Sequence, residues 1–199
     1  MKAKNFSIIL LLFLVTFFCG KVSAQDNKGN DKTIKPALLV IDIQNEFLKY
    51  MSEDDKKFGM EIINGAIHMF RQSNLPIIRV YHTNIGWGPE PGTEPFQFPP
   101  TVIINENDPM IIKNYPSAFQ KTDLEKILKD SGCNTIFLCG LSATGCVLAT
   151  YFGGMERDYN TFMIKEAIIS QNSDYTAMIR DICKTVDFQT MMFMLENMK

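Results

Sequence analysis

Apolar runs and amphipathic segments alternate along the chain from Pro36 onward. Short continuous apolar runs are typical of strands buried on both faces, and they predict strands at 37–41, 77–81, 110–112, 135–139 and 161–164, with 184–188 as a candidate sixth. Segments with helical spacing of apolar residues predict helices at 58–71, 123–129, 146–157, 173–181 and 189–198. This alternation predicts an α/β fold with a parallel sheet and helices on both faces, a three-layer α/β/α arrangement.

The first residues have the pattern of a secretory signal peptide. Lys2 and Lys4 precede an apolar run at 8–18, and small residues around Ala24 form a cleavage site. An uncleaved membrane anchor is the alternative, although the run is shorter than the roughly 20 residues that a span needs. The predicted organisation is a signal peptide at 1–24, a flexible leader at 25–35 and one domain at 36–199. The mature protein is expected to be periplasmic or secreted, without stable membrane association after cleavage.

The net charge and the cysteine spacing limit the kinds of function that the chain could have. The formal net charge is −2, and the signal segment contains lysines but no acids, so the mature chain is more acidic still. Because no basic patch stands out, nucleic acid is not expected as a partner. The cysteines after the signal segment fit neither paired zinc-site spacing nor a dense disulfide framework: Cys133, Cys139, Cys146 and Cys183. Cys139 is expected in a buried strand, whereas Cys133 and Cys183 could pair or stay free.

Three chemically active side chains each follow a predicted strand. Asp42 comes directly after the first strand, Lys113 after the third, and Cys146 after the fourth and a turn of small residues. In a parallel sheet the carboxyl ends of the strands meet at one edge, where ligands bind. The pattern therefore predicts that these three residues face one crevice. A capping role for Asp42 and an exposed loop position for Lys113 are the structural alternatives.

Cys146 has the surroundings expected of a nucleophile. It begins a predicted helix, where unpaired backbone N–H groups and the helix dipole favour thiolate over thiol. Asp42 could accept the thiol proton, Lys113 could stabilise charge, and backbone N–H groups of the turn 140–146 could bind an oxyanion. Nucleophilic catalysis at a carbonyl carbon is the predicted chemistry. A buried, inert cysteine is the alternative.

Three blocks of sequence, taken together, resemble the isochorismatase-like cysteine hydrolases, which include nicotinamidases and N-carbamoylsarcosine amidohydrolase. The blocks are 38–47 (LLVIDIQNEF), Lys113 with 117–119 (SAF), and 140–147 (GLSATGCV). The resemblance covers the whole mature domain and implies a parallel sheet of about six strands. It also implies a catalytic triad of Asp42, Lys113 and Cys146. The implied reaction is hydrolysis of a C–N bond in a small amide, carbamoyl or ureido compound through a Cys146 thioester.

The resemblance has further implications for the site. It implies a cis peptide between Leu141 and Ser142, and an oxyanion hole formed by the N–H groups of Ser142 and Cys146. No cofactor is implied, the partner is a small-molecule substrate, and we expect a homo-oligomer because the family commonly forms dimers or tetramers. Family members usually carry Thr and then an acidic residue where this chain has Ala143 and Thr144, so the polarity near the nucleophile differs.

The predicted substrate pocket includes Phe47, His82 and Trp87, the last within a long Gly/Pro-rich loop at 86–100. Nicotinamidases bind a metal through several histidines after the second strand, but His82 has no second His nearby, so no metal is predicted.

Three alternative functions stay open. The chain could be an inactive member that binds a small ligand, an isochorismatase-type hydrolase, which the presence of Cys146 disfavours, or a redox protein in which Cys146 pairs with another cysteine.

Overall fold

Six parallel strands form a single sheet in the computed structural model, which describes residues 33–83 and 88–198. The strands are β1 (Pro36–Ile41), β2 (Ile77–His82), β3 (Met110–Lys113), β4 (Thr135–Leu141), β5 (Asn160–Ile169) and β6 (Thr185–Val186). Their order across the sheet is β3-β2-β1-β4-β5-β6, and every neighbouring pair is parallel. The predicted α/β fold with a parallel sheet of about six strands is therefore confirmed. The predicted signal peptide at 1–24 and most of the leader at 25–35 lie outside the described residues.

Helices cover both faces of this sheet. They are α1 (Asn45–Leu48), α2 (Glu53–Gln72), α3 (Leu124–Asp130), α4 (Leu148–Met155), α5 (Ser173–Ile182) and α6 (Phe188–Glu196), and a short helical turn occupies Glu94–Phe96. Alternate residues of β1 point to opposite faces. Leu38 and Val40 pack in the core under α2 and α6. Ala37, Leu39 and Ile41 pack in the core under α3, α4 and α5. No helix of the described part of the chain is long and apolar enough to cross a membrane.

Several elements begin or end away from their predicted limits. Helix α2 starts at Glu53, five residues before the predicted start, because the Ser52 side chain caps it by accepting from the Asp55 N–H and acidic residues fill its first turn. Strand β5 continues to Ile169 past a register irregularity against β4. Helix α4 starts at Leu148 because Gly145, with φ −118° and ψ −106°, interrupts the helical turn Ala143–Val147.

The strand order places a crevice beside β1. The chain moves from β1 to β2 and β3 on one side, and later returns to add β4, β5 and β6 on the other side. Such a reversal leaves the carboxyl ends of the two central strands open to a ligand. Gly140, at φ +116°, lets β4 pass close to β1 here, because a Cβ at this position would collide with the backbone oxygen of Ile41.

Candidate active site

The Lys113 ammonium connects the carboxyl ends of three strands. Its Nζ donates to Asp42 Oδ2 at 2.8 Å, lies 2.9 Å from His82 Nδ1 and donates to Cys146 Sγ at 3.1 Å. The Lys113 residue is 1% exposed and Asp42 is 2% exposed. An ammonium has three N–H donors, so these three acceptors use all of them. The structure thus brings together the three residues predicted to form the triad and adds His82 to the cluster.

Asp42 is held at the end of β1 by an unusual backbone conformation. Its φ is +53°, a left-handed region that Asp tolerates better than most residues. Its N–H still donates to Val80 O at 2.8 Å, which continues the β1–β2 ladder. One carboxylate oxygen, Oδ2, is bound by Lys113, whereas Oδ1 is buried and accepts no hydrogen bond from the residues that the structure describes. Asp42 therefore keeps an oxygen that can accept a proton.

Cys146 lies in the turn between β4 and α4. The N–H groups of Gly145 and Val147 both donate to Ser142 O, at 2.9 and 3.2 Å, and this closes the turn. The peptide bond between Leu141 and Ser142 is cis. Cys146 is partly exposed, in contrast to the buried Cys133 and Cys139, and all four described cysteines are free thiols. The turn therefore holds one accessible thiol at the crevice.

A cavity of about 370 Å³ opens above this cluster. Its floor includes Asp42, His82 and Cys146, and one wall includes Leu141 and Ser142. Phe47 lines it as predicted, and its ring meets the His82 ring edge to face, with centroids 5.8 Å apart. Trp87, the other predicted pocket residue, lies outside the described residues. The remaining lining residues were not predicted: Glu46, Tyr50, Met51, Gly145 and Gln171.

Comparisons with known proteins agree with this fold. The family model of the isochorismatase domain matches residues 36–199. The chain belongs to the isochorismatase family of hydrolases. It is 30% identical over 137 residues to the uncharacterized isochorismatase family protein YddQ of Bacillus subtilis, a match that covers 66% of this chain and 76% of that protein.

Two further isochorismatase-family comparisons are informative. The secreted isochorismatase effector Isc1 of Verticillium dahliae is 26% identical over 134 residues, which are 66% of this chain and 70% of the effector. The solved structure of N-carbamoylsarcosine amidase from Thermoplasma acidophilum superimposes with a TM-score of 0.67 at 24% identity. The superposition covers 78% of this chain and 97% of the amidase chain. The structural likeness supports the shared fold.

The surroundings of Cys146 in this isochorismatase-family protein favour the protonated thiol. Burial raises the pKa of Cys146 to about 12, and the negative charge of Asp42 adds to the rise, whereas Lys113 opposes it. This differs from the sequence-based expectation that the helix start favours thiolate. The difference arises because removal from water, together with the Asp42 carboxylate, outweighs the effect of the neighbouring ammonium. Attack by sulfur must therefore be coupled to transfer of the thiol proton.

His82 is neutral at this position. Burial lowers its pKa, and the Lys113 charge lowers it further, while Asp42 partly offsets these effects. Since the ammonium approaches Nδ1 at 2.9 Å, the ring accepts there and carries its proton on Nε2. The ring therefore orients Lys113 as a third acceptor.

The lowered pKa of His82 predicts that stability falls in mild acid. The unfolded chain, with an ordinary His pKa near 6.5, binds a proton before the folded protein does. The free energy of unfolding should thus decrease as pH falls below about 6.5 and level off below the folded pKa. Chemical denaturation between pH 7 and 4 should show a shallower decrease in the free energy of unfolding for His82→Asn than for the unchanged protein.

His68→Asn is the matched control, because His68 is the other histidine of the chain and is exposed on α2. Equal slopes in all three proteins would contradict this assignment.

Gln44 is a structural part of the site that the sequence analysis did not identify. Its side-chain Nε2 donates to His82 O at 3.0 Å, and its Oε1 accepts from the His82 N–H at 2.7 Å. The buried carboxamide thereby continues the ladder between β1 and β2 beyond the last paired backbone residues. It fixes the backbone of His82 and, through the His82 ring, the orientation of Lys113. The spacing Asp42-x-Gln44 was visible in the sequence, but the pairing of a side chain with a strand end was not.

The cavity residues that the sequence analysis did not identify had weak sequence patterns. Glu46 and Tyr50 stand four residues apart beside Phe47, and the Tyr50 hydroxyl donates to Glu46 Oε1 at 3.2 Å. Gln171 comes two residues after the end of β5, the same kind of strand-end position as Asp42. Its Oε1 accepts from Ser142 Oγ at 3.2 Å. Gln171 would have been a candidate if β5 had been predicted to its full length.

Asp42, His82 and Cys146 could also be considered as metal ligands, since one donor atom from each lies within 4.8 Å of the others. In the structure Lys113 Nζ contacts an oxygen, a nitrogen and a sulfur of these same residues. A divalent cation would have to replace or lie against that ammonium, so the donor set does not fit a metal well. The absence of a metal stays a prediction.

Proposed function

We propose that the chain is a cysteine hydrolase that cleaves a C–N bond of a small amide, carbamoyl or ureido compound through a Cys146 thioester. The observation that carries this proposal is the pair of contacts from Lys113 Nζ to Asp42 Oδ2 and Cys146 Sγ at the floor of a cavity. A base, an ammonium and a thiol in mutual reach form the arrangement that nucleophilic catalysis requires. Oxygen Oδ1 of Asp42, which is buried and has no hydrogen-bond partner among the described residues, is the proposed proton acceptor.

The acylation half of the reaction uses each of these groups. Asp42 Oδ1 takes the Cys146 proton while Sγ bonds to the carbonyl carbon, and the carbonyl oxygen becomes an oxyanion. The N–H groups of Ser142 and Cys146 are the proposed donors to that oxyanion. Asp42 then returns the proton to the leaving nitrogen as the C–N bond breaks. Ammonia or an amine departs, and the acyl group remains on sulfur as a thioester.

The deacylation half reverses these roles. Asp42 removes a proton from water, and the resulting hydroxide attacks the thioester carbon. The tetrahedral intermediate collapses with cleavage of the C–S bond, and Asp42 gives the proton to the departing sulfur. The acid is released and Cys146 returns to its thiol form. Lys113 stays charged throughout, holds Asp42 in place and stabilises the sulfur when it carries negative charge.

Export is part of the same proposal. The pattern of residues 1–24 supports it, and so does the likeness to a Verticillium dahliae protein whose name describes it as secreted. A homo-oligomeric assembly remains a prediction that size measurement of the purified protein would check.

The test is to identify a substrate and trap the intermediate. The protein is incubated with a panel of small amides, carbamoyl and ureido compounds while ammonia release is measured. Compounds that are hydrolysed are then acid-quenched within the first turnovers for intact and peptide mass spectrometry. We expect a mass increase equal to the acyl group on the peptide that contains Cys146. Hydrolysis without an adduct on that peptide, under conditions that preserve thioesters, would contradict the mechanism. Ligand binding without hydrolysis across the panel would favour an inactive binding protein.

A further inference from the structure

Both charged side chains that line the cavity are acidic. They are Asp42 at the floor and Glu46 at the wall, and no Lys or Arg lines the cavity within residues 33–83 and 88–198. Residues 84–87, whose positions the structure does not describe, have the sequence Asn-Ile-Gly-Trp and contribute no charge. Among the described residues, the groups that line this space are therefore acidic or uncharged.

The buried Lys113 ammonium is not available to bind a substrate. The three N–H donors of Lys113 point to Asp42, His82 and Cys146, and the Lys113 side chain is fully buried. Its charge is also offset by the Asp42 carboxylate at 2.8 Å. A substrate carboxylate could reach it only by displacing one of the groups of the proposed mechanism.

Glu46 is held in place as an ionised carboxylate. Its Oε2 accepts from Lys49 Nζ at 2.9 Å, and its Oε1 accepts from the Tyr50 hydroxyl at 3.2 Å. Hydrogen bonds from Lys49 and Tyr50 lower the pKa of Glu46, so it stays charged at neutral pH. Lys49 is 58% exposed and does not line the cavity, so its ammonium binds Glu46 from the solvent side, while the Glu46 carboxylate is the charged group that the cavity presents at this position. Each carboxylate oxygen keeps a second lone pair for a donor on the substrate.

We infer, on the basis of the proposed function, that the cavity selects amides whose remaining group is uncharged or positively charged and rejects those that carry a carboxylate. A carboxylate beside Glu46 would be repelled and would lose its hydration without gaining a cationic partner. Neutral polar groups can instead bond to Gln171 and Ser142, which also line the cavity. An ammonium or amide N–H can donate to Glu46.

The test compares three amides of similar size and different charge: succinamate as the anion, succinamide as the neutral compound and 3-aminopropanamide as the cation. Binding to Cys146→Ala is measured by calorimetry or NMR titration, which does not require catalysis. Ammonia release by the unchanged protein gives kcat/KM for the same compounds. We expect the neutral and cationic amides to exceed the anion by at least about tenfold in both measurements.

Glu46→Gln tests whether that side chain causes the discrimination. The change removes the negative charge but leaves Lys49 at the rim, so the ratio of cation to anion should fall by about tenfold, in binding and in kcat/KM. Glu61→Gln, an equally conservative change at an exposed position of α2 away from the cavity, should leave the ratio unchanged.

The outcomes separate this inference from the proposed function. Hydrolysis of all three amides with succinamate equal or preferred would overturn the charge preference and leave the cysteine hydrolase intact. A charge order in binding with no ammonia release from any compound would support the preference and count against hydrolysis. Three compounds that behave alike in binding, including a failure of all three to bind, would overturn the inference, as would a Glu46→Gln protein with an unchanged ratio.

Discussion

Cys146→Ala should lose at least about four orders of magnitude in kcat while keeping its fold. The substitution deletes the sulfur that forms the thioester and leaves Asp42, Lys113 and His82 in contact with one another. No water molecule bound in its place would have the nucleophilicity of sulfur or the geometry of the turn 143–147. Because the buried Lys113 ammonium loses one of its three acceptors, the free energy of unfolding should fall by about 1–3 kcal/mol, which leaves the protein folded. Ammonia release and chemical denaturation measure the two quantities.

Cys183→Ala is the matched control for this variant. Cys183 is also a partly exposed free thiol, but it lies at the end of α5 and does not line the cavity. Its replacement should leave kcat unchanged. If Cys146→Ala kept more than a few per cent of the activity, the nucleophile would have to be another group, and the proposed mechanism would fail.

Lys113→Met should weaken both stability and activity. Met keeps most of the side-chain length but removes the charge, so the carboxylate of Asp42 would be buried without a partner. Breaking one member of a buried ion pair in this way costs about 3–5 kcal/mol. Activity should fall by at least about a hundredfold, because sulfur loses the ammonium that stabilises its charge and Asp42 loses its anchor. Urea denaturation and ammonia release check these values.

A double variant shows whether the stability lost in Lys113→Met comes from the unpaired charge or from a loss of packing. Asp42→Asn combined with Lys113→Met removes both charges, so much of the lost stability should return while activity stays absent. Lys126→Met is the surface control. Lys126 pairs with Asp130 at 2.6 Å, but both side chains are more than half exposed, so the change should leave the free energy of unfolding nearly unchanged. A double variant as unstable as Lys113→Met alone would contradict the charge argument.

The strands of the fold could be predicted because their burial is nearly complete. Every residue of β1 and β4 is buried, so these strands appear in the sequence as unbroken apolar runs. Strand β5 was predicted too short because Lys165 and Glu166 interrupt its apolar pattern. The strand continues through these residues, and its pairing with β4 resumes at Ile168 after a register irregularity. Glu166 accepts from the Phe188 N–H at 3.0 Å. A side chain that bonds to a distant helix start has no local sequence pattern.

The site was predictable to the extent that it follows the ends of strands. Asp42, Lys113 and Cys146 each come after an apolar run, and parallel strands bring such positions together. The roles of Gln44 and Gln171 depend on contacts with His82 and Ser142, which are 38 and 29 residues away. The protonation state of Cys146 was the least predictable property, because the sequence shows neighbours such as Lys113 but not the degree of burial that decides between thiol and thiolate.

The resting thiol affects how this protein would behave in chemical surveys of reactive cysteines. Alkylating reagents such as iodoacetamide detect nucleophilic cysteines by their speed of labelling, which depends on the fraction of thiolate. Because burial raises the pKa of Cys146, it should label at neutral pH more slowly than an exposed cysteine with an ordinary pKa. Peroxide, whose oxygen is attacked by thiolate rather than by thiol, should oxidise it slowly. A survey that ranks cysteines by intrinsic reactivity would therefore overlook Cys146, and an electrophile shaped like an amide substrate would be needed to label it.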